Sequence, residues 1–319
     1  MLTQLINKIL SGGAISREEA LTLPNENLDD LCQAANNLRI HFCKNGFDIC
    51  TIINGKSGHC TENCRYCAQS SHFSSQSPEY TLLSKEEMIR EAVYNYTKGI
   101  LRFSVVTSGR NLSDAEVDDM CETYRAIAKS CPISLCASHG LLTPEQFVKL
   151  KHAGVNRYHN NLETSRNYFP SICTTHTYDE KIAAITAALS AGLTVCSGGI
   201  MGLGETMEDR IDMALELRQL GIKSIPINIL NPIKGTPLEA QKPLTDDEVR
   251  QIIAMYRFLL PDATIRLAGG RSLLTDKGQM VFCSGANAAI SGDMLTTAGI
   301  SIKDDLDMLS QLSFDIKLL

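Results

Sequence analysis

Residues 48–71 read DICTIINGKSGHCTENCRYCAQSS and join a strand pattern to a cysteine-rich loop in one run. DICTIIN (48–54) is short, β-branched and apolar, which predicts a strand. The loop that follows holds Cys60, Cys64 and Cys67, spaced Cys-x3-Cys-x2-Cys. Three thiolates this close can hold an iron–sulfur cluster and leave one iron without a protein ligand, open to chemistry. The alternative is a structural zinc site in which His59 or His72 completes a Cys3His set, although zinc ligands usually come as two separated pairs.

Working outward, the strand-then-loop unit is the first of a series. Further strand patterns occupy 101–106, 133–138, 155–160, 194–200, 223–229, 264–269 and, weakly, 287–291. Between them lie helical stretches that open on capping boxes, at Ser84/Glu87, Ser113/Glu116, Thr143/Gln146, Thr177/Glu180 and Thr245/Glu248. Gly99, Gly154, Gly192 and Gly221 mark helix ends. Eight strands alternating with helices predict an α/β fold, a (β/α)8 TIM-type barrel, with an open doubly wound sheet as the competitor. Residues 1–45, with a capping box at Ser16/Glu19, read as a helical N-terminal extension, and 46–319 as the barrel, a single functional domain.

Composition narrows the function. The chain has 319 residues, 44% of them apolar, enough for a sizeable core, and a net charge of −6 with no basic cluster, which argues against nucleic acid. The start has apolar residues at 2, 5, 6, 9 and 10, one face of a short helix rather than a signal peptide, and no stretch approaches the length of a membrane span. Twelve cysteines without an export signal point to metal or redox chemistry in a reducing, cytoplasmic setting.

A (β/α)8 barrel presents functional residues at the C-terminal ends of its strands, and the cysteine loop lies there. A second set lies within the strands: Cys50 on the first, Cys136 on the third, Cys196 on the fifth and Arg266 on the seventh. Interior layers draw their four side chains from alternate strands, so these residues form one layer if their registers agree. Three thiols and a guanidinium make a poor apolar core and a good second metal site; singly, each cysteine reads as a small buried apolar residue. Cys32, Cys43, Cys121, Cys131, Cys173 and Cys283 fall on helices or loops and are read that way.

HCTENCRYCAQSS, YHNNLETS, VCSGGIMGLGET, IPINILNPIKGTPL and IRLAGGR, in this order and spacing, closely resemble the biotin synthase family of the radical S-adenosylmethionine (SAM) superfamily. The resemblance implies a [4Fe-4S] cluster on Cys60, Cys64 and Cys67, with SAM chelating the fourth iron. A radical formed from SAM then removes hydrogen from dethiobiotin, and sulfur comes from an auxiliary cluster in the barrel. It implies that Tyr66 packs near the adenine. Asn161 and Glu163 are expected at the SAM ribose, Asn161 also near the substrate's ureido ring, and Asn228 in the shared pocket. It further implies a flavodoxin- or ferredoxin-type electron donor and a homodimer. Rival readings are another radical SAM barrel enzyme, such as a hydrogenase maturase or a methylornithine-forming enzyme, and a zinc-stabilised scaffold.

Three positions depart from the family pattern. Glu163 stands where aspartate is usual, and Lys181 replaces an arginine expected to pair with the methionyl carboxylate, a point charge for a bidentate fork. Ser104 stands where a strand-2 cysteine normally ligates the auxiliary [2Fe-2S] cluster, while Cys50 occupies a usual serine position. The reading is a relocated ligand: Cys50, Cys136 and Cys196 bind the auxiliary cluster, with Arg266 as neighbour or fourth ligand. Either the cluster stays [2Fe-2S], or it is a four-iron cluster with an added sulfide. The second is favoured here and resembles a branch of the family associated with anaerobic life.

Overall fold

The structure is a computed structural model that describes residues 1–319. In chain order the helices are α1 (Leu2–Leu10), α2 (Arg17–Ala20), α3 (Leu28–Cys43), α4 (Lys85–Thr97), α5 (Asp114–Ser130), α6 (Pro144–His152), α7 (Tyr178–Ser190), α8 (Met207–Gln219), α9 (Asp246–Leu259), α10 (Gln279–Phe282) and α11 (Ile302–Gln311). The strands are β1 (Gly46–Lys56), β2 (Arg102–Thr107), β3 (Ser134–Ser138), β4 (Arg157–His159), β5 (Thr194–Cys196), β6 (Gly199–Met201), β7 (Ser224–Ile229), β8 (Thr264–Leu267), β9 (Ala288–Ile290) and β10 (Asp315–Ile316).

Strands β1 to β9 pair in parallel and in sequence, and β9 returns to β1, so the sheet closes. β5 and β6 are two halves of one barrel position, both paired with β7. Eight positions result, as the alternation of strands and helices predicts, and the open-sheet competitor falls away.

The capping boxes foreseen at Ser84, Ser113, Thr143, Thr177 and Thr245 all form, as does that at Ser16. A further box at Thr206/Asp209 opens α8; its aspartate in place of Glu or Gln hid it from the pattern. After residue 292 the chain forms α11 and then β10, which pairs with the start of β1 at Gly46 and Phe47. Packing of Phe314 against Phe47, at 4.9 Å between ring centroids, secures that strand where propensity alone does not. One continuous apolar core joins the barrel helices to Leu5, Ile9, Leu31 and Leu38 of α1 and α3. No helix is long and apolar enough to cross a membrane.

The strand read as 194–200 breaks at Ser197 and Gly198. A Cβ on Gly198 would lie 1.9 Å from the Pro226 carbonyl oxygen, and one on Gly199 2.3 Å from that of Glu163. The glycines therefore serve close backbone approach, which lets the Glu163 segment bridge to β6.

Candidate active site

The cysteine triplet lies in the loop after β1. Backbone bonds fold that loop on itself: Cys60 N–H donates to Gln69 at 3.1 Å, Cys67 N–H to Cys64 at 2.9 Å and Ser71 N–H to Cys60 at 2.8 Å. Cys60 is buried, Cys64 and Cys67 partly so. Burial, with Cys60 and Glu163 adding negative charge nearby, pushes the Cys67 thiol up to about 11, so without a metal it stays protonated at neutral pH. The histidines of the zinc alternative are engaged elsewhere. His59 Nε2 is 3.1 Å from Glu79 and largely exposed, and His72 Nε2 lies 2.9 Å from the Thr61 carbonyl. The donor set of the loop is three sulfurs with neither of these imidazoles directed at them, which fits a cluster with one open iron better than a closed Cys3His zinc site.

Behind the loop lies a cavity of about 370 Å³ in the barrel mouth. Tyr66, Asn161, Glu163 and Asn228 line it, and so do Cys50, Ser104, Cys136, Cys196 and Arg266. Asn161 donates to Glu163 at 3.3 Å and accepts from Gly198 N–H at 3.2 Å. Asn228 donates to the Gly199 carbonyl at 3.1 Å and accepts from Gly269 N–H at 2.9 Å, tying β6, β7 and the loop after β8 together. Their side chains thus have local structural partners as well as a face on the cavity. Lys181 does not line it. Its Nζ sits behind, 3.4 Å from Asn160 Oδ1 and 3.9 Å from Glu163 Oε1, a buried cation supporting the Glu163 wall.

Deeper in, Cys50, Cys136 and Cys196 come from β1, β3 and β5 and are each nearly inaccessible. Arg266, on β8 at the seventh barrel position, donates to Cys50 Sγ at 3.3 Å. Ser224 Oγ donates to Cys196 Sγ at 3.3 Å. Burial pushes Cys136 up to about 11. Burial acts the same way on Cys196, but the hydrogen bond and charge of His159 and the guanidiniums of Arg157 and Arg266 outweigh it and bring the thiol down to about 6. The hydroxyl of Ser104, on β2, is buried on the wall of the same cavity.

Residue-pattern reasoning missed the floor beneath these thiols. Asp48 is fully buried and receives Arg266 at 2.8 Å and Arg102 at 3.0 Å, with Arg157 at 3.9 Å. Burial opposes its charge, but the guanidiniums of Arg266 and Arg102 dominate and hold its carboxyl well below the usual range. The signal was available: positions 48, 102, 157 and 266 each place a charged residue within a strand pattern. Cys173 was also missed. Read as an ordinary buried cysteine, it lies 3.7 Å from Cys64 Sγ.

A parallel barrel with three thiols in the loop after its first strand, and a lined cavity at the same end, defines the class of radical SAM barrel proteins. The profile described as the Radical SAM superfamily matches residues 56–217, and that of the Biotin and Thiamin Synthesis associated domain matches residues 226–315. The chain is similar to a solved methylornithine synthase at TM-score 0.85 and 19% identity, covering 98% of this chain and 97% of that one. A hydrogenase maturase matches at TM-score 0.84 and 20% identity, covering 99% and 75%. At such identities the likeness shows the fold alone.

Sequence relatives are more specific. Biotin synthase of Akkermansia muciniphila is 57% identical, covering 100% of this chain and 99% of that protein. Biotin synthase of Clostridium botulinum (strain Alaska E43) is 60% identical over 97% of each. The chain belongs to the biotin synthase family.

Proposed function

We infer that the protein is a biotin synthase, converting dethiobiotin to biotin by SAM-dependent radical sulfur insertion. The observation that carries this is the cavity itself, where the walls expected to hold SAM and substrate continue into the chamber of three buried thiols. When bound, the [4Fe-4S] cluster supplies the electron that cleaves SAM to a radical, and the auxiliary cluster supplies the sulfur.

The chain's own residues do the rest. Cys60, Cys64 and Cys67 would hold the outer cluster and leave one iron free. Tyr66, partly buried and facing the cavity, offers an apolar face for the adenine. Asn161 and Glu163 present polar atoms for the ribose, and Asn228 for the substrate. Lys181 supplies a buried positive charge for the methionyl carboxylate. Apolar walls, including Ile52, Val106 and Ile229, exclude water that would quench a radical. Residues 46–319 form the catalytic unit in this reading and 1–45 a helical extension. A flavodoxin- or ferredoxin-type donor, a homodimer and a reducing cytoplasmic setting go with it; twelve free cysteines favour the last.

For the auxiliary cluster, Cys50, Cys136 and Cys196 are the proposed ligands, with four irons and an added sulfide. Two features support this over a [2Fe-2S] cluster ligated by Arg266. A ligating guanidinium must lose a proton. Burial pulls Arg266 that way, but the charges of Cys50 and Asp48 outweigh it and hold the group well above its ordinary value. Its donors are also committed, to Asp48, to the Ala289 carbonyl at 2.9 Å and to Cys50. Second, three guanidiniums gather around the Asp48 carboxylate, so the floor of the chamber is rich in buried positive charge. A four-iron core with three thiolates and one added hydrosulfide is the more negative of the two clusters and suits that floor better.

The test is anaerobic turnover of reconstituted protein with dethiobiotin, SAM and a strong reductant, expected to form biotin. Mössbauer spectroscopy and iron counting on Cys60→Ala then report the inner site alone. About four irons are expected there; about two would overturn the four-iron reading.

A further inference from the structure

The residues that hold SAM in the reading above come from two separate stretches of chain. The cluster loop follows β1, whereas Asn161 and Glu163 follow β4 and Lys181 lies on α7. Residues 171–176 lie in sequence between Glu163 and Lys181, and the non-cysteine residues of the cluster loop grip them. Asn63 Oδ1 accepts from the backbone N–H groups of Thr174 and Thr175 at 2.9 and 3.3 Å, and Asn63 Nδ2 donates to Thr174 Oγ1 at 2.7 Å. The Asn63 N–H donates to Thr175 Oγ1 at 3.1 Å. Thr175 Oγ1 donates in turn to the buried carboxylate of Glu62 at 2.7 Å, and His176 Nδ1 meets the same carboxylate. Arg65 N–H donates to the Ile172 carbonyl at 2.9 Å.

The grip is anchored on both sides. Ser70 Oγ donates to the Glu62 carbonyl at 2.6 Å on the loop side. Opposite, Arg110 donates to the Thr175 carbonyl at 2.8 Å, and buried Phe169 packs edge-on against His176 and Tyr178, each at 5.6 Å between ring centroids. None of these contacts uses a cysteine sulfur, so all are compatible with a cluster on the three thiols. The loop's own backbone bonds already shape the triplet. What the grip adds is a fixed position of the loop relative to the segment between β4 and α7. A molecule held by the loop's open iron at one end and by Glu163 at the other depends on that spacing. Misplacement by ~1 Å can cost about 100-fold in rate.

We propose that Asn63, supported by Glu62 and Thr175, is a positioning residue for SAM, holding the cluster loop at a set distance from the segment that carries Glu163 and Lys181. Asn63 does not line the cavity, so it acts through the loop and not on SAM itself. The proposal rests on the SAM-binding reading above and goes beyond it in naming what sets the spacing of the two halves of that site.

The test compares Asn63→Ala with Asn63→Asp in the full-length, anaerobically reconstituted chain. The aspartate keeps an acceptor for both backbone N–H groups, and the Thr174 hydroxyl can turn to donate to it. Electron paramagnetic resonance of the reduced cluster, titrated with SAM, reads affinity without turnover. Asn63→Ala should load as much iron as the parent, bind SAM about tenfold more weakly and release methionine from SAM about tenfold more slowly. Asn63→Asp should restore both to within about twofold. Equal SAM affinity in Asn63→Ala and the parent overturns the proposal. So does a loss of iron with unchanged affinity at the clusters that remain, which would make the grip a device for retaining the cluster. If circular dichroism shows Asn63→Ala unfolded, Thr175→Val, with Thr175→Ser as its rescue, puts the same question from the opposite side of the grip. A parent whose cluster gives no response to SAM sinks the enzymatic reading and this proposal with it. A parent that responds, with Asn63→Ala binding alike, sinks the proposal alone.

Discussion

The two thiol sets differ in how the chain builds them. Cys60, Cys64 and Cys67 come from one loop whose shape is set by its own backbone hydrogen bonds. Cys50, Cys136 and Cys196 come from three strands and meet only because the sheet closes. The outer set borders exposed polar residues, whereas the inner set stands on buried charges that need one another. A locally built site should tolerate insult to the barrel, and a site built by closure should not.

The largest effect expected from that contrast is at Asp48. Asp48→Ala leaves Arg266, Arg102 and Arg157 buried without their common carboxylate. Breaking a buried ionic network by removing one partner costs about 3–5 kcal/mol. Urea unfolding should register that loss. Iron counting on the reconstituted variant should show the inner site depleted and the outer one still loaded. Equal loss from both would break the distinction.

A smaller effect concerns the barrel wall between the two regions. His139, just after β3, is buried with its ring nitrogens 3.0 Å from Thr107 Oγ1 and 2.9 Å from the Tyr124 hydroxyl. Burial brings its pKa down from 6.5 to about 3. The unfolded chain therefore binds a proton below pH 6.5 that the folded chain refuses until about pH 3. The stability is fully present above 6.5 and declines as pH falls toward 3. Between pH 7 and 5 the decline is about 2 kcal/mol from this residue. His139→Gln should flatten that part of the profile. An unchanged slope would show that other groups set the acid limit.

Legibility in the sequence followed the same division. The outer triplet was readable because its ligands share eight residues, and the barrel because seven strands carry strong apolar runs bounded by capping boxes. The inner thiols were readable only as a hypothesis about register, since no local pattern says that Cys136 and Cys196 face one chamber. Asp48, Arg102 and Arg157 escaped because a single charge in a strand reads equally well as a solvent-facing residue. Cys173 escaped because its partner, Cys64, is 109 positions away. β10 escaped because tertiary packing on Phe47, not propensity, makes it a strand.

The smallest expected effect tests whether the outer site is built from sulfur alone. His59 is the imidazole nearest in sequence to the triplet, directly preceding Cys60, and would complete a zinc set if any histidine did. Its backbone sits at φ +51°, which asparagine tolerates better than most residues, so His59→Asn removes the imidazole with little strain. The only partner lost is Glu79 in an exposed pair, at most ~1 kcal/mol. The variant should unfold within about 1 kcal/mol of the parent and load the outer site with the same iron. A colourless protein that binds zinc in the parent and loses it in His59→Asn would make the outer site a closed Cys3His structure and remove the contrast with the inner one. A brown protein with unchanged iron leaves the fourth coordination position free of protein, as a site that must admit SAM requires.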